Sequence, residues 1–213
     1  MKKITLIIGM ALCILMPGCT KKSSNTDEHH NILVVYFSHA GDNYAVGEIS
    51  KGNTKIIAEY IKEFSQADEL EIVTSKYDGM EYNALCALAQ EEQISNERPD
   101  FTARLVRGAN DTVVAKQADI DKYDMIFVGG PVWWGTYPQV MFSFFDKYDL
   151  SGKILIPFTT HEGSGLGNCV GDLKAAYPTA DVWSKSALSI YGHEAIKSKI
   201  EVKEWLAEMG LVE

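Results

Sequence analysis

The chain has 213 residues, 46% hydrophobic and 23% charged, with 17 glycines, 6 prolines and a formal net charge of −9 at pH 7. This length supports one large core and is short for two, and no block of like charges or internal repeat breaks an ordinary globular composition. The acidic balance argues against a nucleic-acid surface and fits a protein that binds a small molecule.

At the N-terminus, Lys2 and Lys3 precede an apolar run, Ile4 to Met16, which is too short for a permanent membrane span. The run closes in Leu15-Met16-Pro17-Gly18-Cys19. This resembles the lipobox of bacterial lipoproteins, which implies a signal peptide over 1–18 and lipidation of Cys19. A plain secretory signal cut near Gly18 is the alternative. Residues 19–30 are polar and turn-rich and read as a flexible tether, with His29 and His30 part of it. Residues 31–213 then form the folded domain. The expected location is the bacterial cell envelope, lipid-anchored to a membrane and facing the periplasm or the exterior. Loss of 1–18 removes two lysines and no acid, which takes the charge from −9 to −11. Of the four cysteines, Cys13 leaves with the signal and Cys19 carries lipid. Cys86 and Cys169 could bridge in an oxidising compartment, but a single pair gives no disulfide framework, and neither has a partner at metal-ligand spacing.

Ile32 to Phe37 is an unbroken apolar run, the pattern of a strand buried on both faces. Turn residues from Ser38 to Asn43 end it. From Thr54, Ile56, Ile57, Tyr60, Ile61 and Phe64 recur at helical spacing. Glu69 to Thr74 is a second strand, so the unit is βαβ with a right-handed crossover. Asn83 to Gln93 is a helix carrying Leu85 and Leu88. Phe101 to Gln117 is polar, turns near Gly108 to Asp111, and is read as an insertion of unassigned structure. Met125 to Val128 is the third strand, and Pro138 opens a helix whose apolar face is Val140, Met141, Phe144, Phe145 and Tyr148. Lys153 to Phe158, helix 168–177, strand 182–190 and helix 194–209 complete the chain. The alternation describes one α/β domain with a doubly wound sheet, and the expected arrangement is five parallel strands in the order 2-1-3-4-5 with helices on both faces.

In such a sheet, ligands bind outside the carboxyl ends of the strands where strand order reverses. The three unusual loops each follow a strand: Ser38 to Thr54 the first, Gly129 to Pro138 the third, Thr159 to Gly167 the fourth. Those strands are neighbours in the order 2-1-3-4-5, so the loops meet on one rim. Gly52-Asn53-Thr54 opens a helix, where free N–H groups and the helix dipole favour phosphate. Trp133 and Trp134 offer rings, which otherwise could cap the core. Thr160, His161 and Ser164 offer hydrogen bonds among glycines. A phosphate site beside a site for a flat heterocycle describes FMN.

Gly130-Pro131-Val132-Trp133-Trp134-Gly135-Thr136-Tyr137-Pro138, with Thr160-His161-Glu162-Gly163-Ser164-Gly165-Leu166-Gly167, resembles the flavodoxin-like superfamily, in its branch of bacterial flavoproteins. The family's phosphate loop is a serine, two residues, then Gly-Asn-Thr. Here Gly41 to Lys51 interrupt it, an excursion whose ends must rejoin, and Ala40 stands where the family has a hydroxyl. The resemblance implies that Ser38, His39, Ala40, Gly52, Asn53 and Thr54 hold the phosphate. It also implies that Pro131, Val132, Trp133, Trp134, Gly135, Thr136, Thr160, His161, Gly163, Ser164 and Gly165 surround the flavin ring, with no metal and no catalytic side chain. His161 could meet the flavin or order its own loop. Cys169 could be a thiolate at a helix start or a small buried hydrophobe, and Cys86 is read as core.

The implied activity is redox. The leading reading is an FMN-dependent oxidoreductase that takes hydride from a reduced nicotinamide or another donor and passes electrons to a quinone-like or other small acceptor. The Gly41 to Lys51 and Phe101 to Gln117 excursions would build its pocket. The alternatives are an electron carrier docking partner proteins through an acidic face, and a non-redox binding module that has lost flavin. Donor and acceptor are unnamed, and a homodimer is left open.

Overall fold

The computed structural model describes residues 30–108 and 111–212. The signal peptide, Cys19 and the tether up to residue 29 lie outside the described residues.

Strand β1, Ile32–Phe37, shows why an unalternating run is needed. Leu33, Val35 and Phe37 enter one core cluster, while Val34 and Tyr36 enter a second on the other side of the sheet. A hairpin follows, β2 (Gly41–Asn43) paired antiparallel with β3 (Gly47–Ile49). Helix α1 (Asn53–Ser65) leads to β4 (Asp68–Val73), and α2 (Tyr82–Ser95) follows. Strands β5 (Thr102–Arg107) and β6 (Asp111–Val114) precede the short α3 (Gln117–Ile120). Then come β7 (Met125–Pro131), α4 (Gln139–Lys147), β8 (Ile154–His161) and α5 (Cys169–Ala176). The chain closes with β9 (Asp181–Val182), β10 (Leu188–Tyr191), a 3-10 turn over Gly192–Lys197 and α6 (Lys199–Glu208).

The parallel strands stand in the order β4-β1-β7-β8-β10, which is the expected 2-1-3-4-5. Helices cover both faces. α1 and α6 pack Ile57, Ala58, Ile61, Val202, Trp205 and Leu206 on one side. α2, α4 and α5 pack Leu85, Val140, Met141, Phe144 and Leu173 on the other.

Several expectations need correction. Among the described residues the main sheet has eight strands, not five, and is mixed. The segment left unassigned adds β5 and β6 antiparallel outside β4. Ala103 and Leu105 are buried while Thr102 and Arg104 are exposed, so β5 is buried on one face only, and its polar face hid it. The last strand is split: β9 pairs with the start of β8 and β10 with its end, separated by a 3-10 turn at Ser184–Ser186.

The third and fourth strands also run further than expected. β7 continues through Gly129, Gly130 and Pro131, in register with Phe158, Thr159 and Thr160 of β8. These two glycines are strand residues chosen for close packing. A Cβ on Gly129 would lie 2.0 Å from the Phe158 ring, so a bare Cα is required there.

Candidate functional site

The carboxyl ends of β1, β7 and β8 open on a single cleft of about 370 Å³. One end is the start of α1. Gly52 lies so close to Ser38 and to the backbone of His39 that a Cβ would sit 2.3 Å from the Ser38 Oγ. The two halves of the interrupted loop therefore do rejoin, and the hairpin β2–β3 leaves and returns with Gly41 opposite Ile49. Ser38 Oγ accepts the Lys55 N–H (3.0 Å) and so caps a helix that has no side-chain cap of its own at Gly52. The Asn53 and Thr54 amides in this first turn have no hydrogen-bond partner among the described residues. The hydroxyls of Thr54 and Thr160, both buried, lie 2.7 Å apart and fasten α1 to the end of β8.

Trp133 forms one wall. Its ring meets Phe37, His39 and Tyr77 edge-on, at 5.7, 5.9 and 5.2 Å between centroids. It therefore both packs on the core and lines the cleft. Trp134 differs: it is 51% exposed. Trp133 and Thr136 exchange backbone hydrogen bonds across a two-residue turn with positive φ at both central residues, 50° at Trp134 and 82° at Gly135. That is the hand of a type I′ hairpin, which suits Gly135 and strains a bulky residue by on the order of 1 kcal/mol or more. The Trp134 indole N–H donates to the Cys86 carbonyl at 2.9 Å and Gln93 Nε2 donates to the Trp134 carbonyl, so the turn is fastened to α2.

His161 ends β8 as a nearly buried side chain. Its Nδ1 accepts the Gly163 N–H (2.9 Å), which leaves Nε2 to carry the proton of the neutral ring. Burial, with His193 nearby, pushes its pKa below the usual histidine value against the pull of Glu162. It thus orders its own loop and also lines the cleft. His39 is 7% exposed, and its Nε2 has no hydrogen-bond partner among the described residues. Burial lowers its pKa too, opposed by Asp78, Glu48 and Asp42. Glu162 is held by the backbone N–H (2.8 Å) and the ring of His193.

Of the residues singled out from sequence, His39, Asn53, Thr54, Pro131, Val132, Trp133, Trp134, Gly135, Thr160, His161 and Ser164 line this cleft. Ser38, Ala40, Gly52, Thr136, Gly163 and Gly165 are not among its lining residues. Ser38 and Gly52 shape the helix start, and Ala40 is exposed. Thr136 turns its hydroxyl to Asp172 on α5. Gly163 and Gly165 take positive φ in the loop, and Gly165 accepts a hydrogen bond from Thr159.

The remaining lining was not named residue by residue, although the Gly41 to Lys51 excursion and the loop holding Glu162 were expected at the site. It comes from the hairpin (Asn43, Tyr44), from α2 (Tyr82, Leu85, Cys86, Ala89), and from Glu162 and Gly192. Cys86 is a half-buried wall residue and not core, while Cys169 is fully buried with its thiol pKa pushed well up by burial. Both are free thiols. Tyr82 is pushed up to about 12 by its hydrogen bond to Cys86 and by burial. Glu92, wholly buried, accepts the Tyr77 hydroxyl (2.9 Å) and holds α2 against the aromatic cluster under Trp133. None of the described residues of 101–117 lines the cleft, and the first excursion does.

A family described as Flavodoxin matches residues 31–209. Among solved structures, a candidate flavoprotein from Bacteroides eggerthii is 24% identical, covering 85% of this chain and 98% of its own, with a TM-score of 0.58. A flavoprotein from Lactobacillus acidophilus, solved in complex with FMN, is 20% identical, covering 79% and 97%, with a TM-score of 0.53. No curated protein matches this chain. At these identities the structural likeness concerns the fold alone.

Proposed function

The chain belongs to the flavodoxin family, and we propose that it binds FMN in the rim cleft and passes electrons from a reduced donor to a small acceptor. The observation that carries this reading is the convergence of three loops on one cleft, with a helix start at one end and the Trp133 ring as a wall. Its volume, about 370 Å³, falls in the range of ligand sites. The unpartnered Nε2 of His39 and the two unpaired amides of α1 are polar groups that a bound molecule would satisfy.

In this reading the Asn53 and Thr54 amides and the Thr54 hydroxyl take the phosphate, with no hydroxyl from Ala40 to help. Trp133 offers an apolar face to the ring system, and the Nε2–H of His161 can donate to a ring heteroatom. FMN, when bound, supplies the redox centre. The protein's part is to hold it, limit its access to water and set the electrostatics around it.

The test is a titration of purified protein into FMN, read by quenching of the free flavin's fluorescence. Thr54→Val should raise the dissociation constant about 10- to 100-fold, because a hydrogen bond to a charged group is worth ~1.5–3 kcal/mol. Trp133→Ala should weaken binding through lost ring contact, and Thr136→Val, whose hydroxyl faces Asp172, should change it much less. Fluorescence that stays at the free value with wild-type protein rejects the proposal.

A further inference from the structure

The mouth of the cleft has an aromatic cover and a one-sided charge. Tyr44, at the tip of the hairpin, is 60% exposed and leans on Tyr82 with ring centroids 5.6 Å apart and planes 33° from parallel. Both rings line the cleft on the side contributed by the hairpin and α2.

Among the described residues that line the cleft there is no lysine or arginine, and Glu162 is the carboxylate among them. Asp42, Glu48 and Asp78 lie close enough to act on His39. The two lysines that flank the start of α1 in sequence are already engaged, Lys51 with Glu59 and Lys55 with Glu71. The start of α1 has unpaired amides for one phosphate. The start of α2, which also borders the cleft, does not offer a second: the Tyr82 N–H is taken by the Asp42 carboxylate at 2.9 Å.

A dinucleotide brings a diphosphate that would find neither a cation nor an open helix start here, and it would approach several carboxylates. Flat, uncharged or positively charged molecules meet two tyrosine rings and a favourable field. We infer that this mouth admits, beside the flavin, a planar aromatic electron partner carrying no negative charge, and turns away dinucleotides and other anions. The inference rests on the FMN reading above and goes beyond it by naming the class of the second ligand.

Oxidised, FMN-loaded protein can be titrated with three redox-inert molecules of similar shape: quinoline at pH 8, N-methylquinolinium and a quinoline sulfonate. Binding is read from the shift of the flavin's visible absorption. The cation and the neutral molecule should bind at least about tenfold more tightly than the sulfonate at low salt, with the gap between the charged pair closing as screening shortens the field to ~3 Å at 1 M. Tyr44→Ala, compared at equal FMN loading, should weaken the cation and quinoline about 2- to 10-fold, the size of one ring contact. Glu48→Lys, on the hairpin's exposed edge, should narrow the gap between cation and sulfonate. A sulfonate that binds as well as the cation, the oxidised dinucleotide NADP+ binding as well as quinoline, or unchanged binding in Tyr44→Ala overturns the inference while leaving the FMN reading in place. A protein that takes up no FMN overturns the flavin reading itself, and the inference with it.

Discussion

Trp133 and Trp134 are adjacent in sequence and have opposite situations in the structure. Trp133 is wedged edge-on among Phe37, His39 and Tyr77, and Trp134 is lifted into the left-handed region and tied by its indole N–H to α2. Which tryptophan would be the wall could not be read from the dipeptide, because the turn that separates them depends on Gly135 and on the bridge to Thr136. At the same scale sit the two buried imidazoles. His39 and His161 both titrate below the ordinary histidine value in the folded chain, chiefly because burial disfavours the charged ring. In the unfolded chain they take up protons near pH ~6.5. The folded state then binds fewer protons, so their contribution to stability is present above pH ~6.5 and is lost as pH falls through the lowered folded values. Denaturation midpoints in urea should therefore be higher at pH 7.5 than at pH 5.5, and His39→Phe should flatten part of that slope. An equally steep slope in the variant would show that His39 does not carry it.

Among the elements, β7 has the tightest steric requirement. Its glycines read as a loop because glycine usually ends a strand, yet here they let the Phe158 ring lie against the backbone of a central strand. Gly129→Ala should destabilise the fold by about 2 kcal/mol, the usual penalty of overpacking a core, seen as a lower urea midpoint with an unchanged m-value. Gly47→Ala, with open space around it but a positive φ, should cost about 1 kcal/mol and only in the hairpin. Helix α2 shows a different limit of sequence reading. Its existence and Leu85 were legible from spacing, but its role as a cleft wall was not. It is anchored through its own buried Glu92, which accepts the Tyr77 hydroxyl, and by the indole of Trp134, which is distant in the chain. The hairpin β2–β3 was legible as an interruption and as an excursion that must close, because Ser38 and Gly52-Asn53-Thr54 need each other.

At the scale of the whole molecule, the domain gathers three loops around the rim cleft, and the sequence ahead of it suggests where the domain works. Cys19 as a lipid attachment point is a proposal drawn from the lipobox-like run before it. In a bacterial host, Cys19→Ser should move the protein from the membrane pellet to the soluble envelope fraction and abolish labelling by a radioactive fatty acid. Persistent pelleting and labelling in that variant would reject the anchor. No helix among the described residues is long and apolar enough to cross a membrane.

Sequence alone determined the parallel core and the place of three unusual loops after its strands. The order 2-1-3-4-5 was an expectation, met by the parallel strands of a larger mixed sheet, and it is this order that brings the loops to one rim. Strands buried on both faces must be continuously apolar, and the residues that interrupt such runs mark where the rim lies. Tertiary structure decided what those loops are joined by. The added antiparallel strands β5 and β6, the extension of β7 and β8 to the rim, and the wall of Tyr44, Tyr82 and Cys86 all depend on contacts between distant segments. Local periodicity records only the face a residue buries and not the neighbour it buries it against. The charge of the mouth is of the same kind: Asp42 and Glu162 matter because of the helix start and the histidine they occupy, and those pairings exist only once the chain has folded.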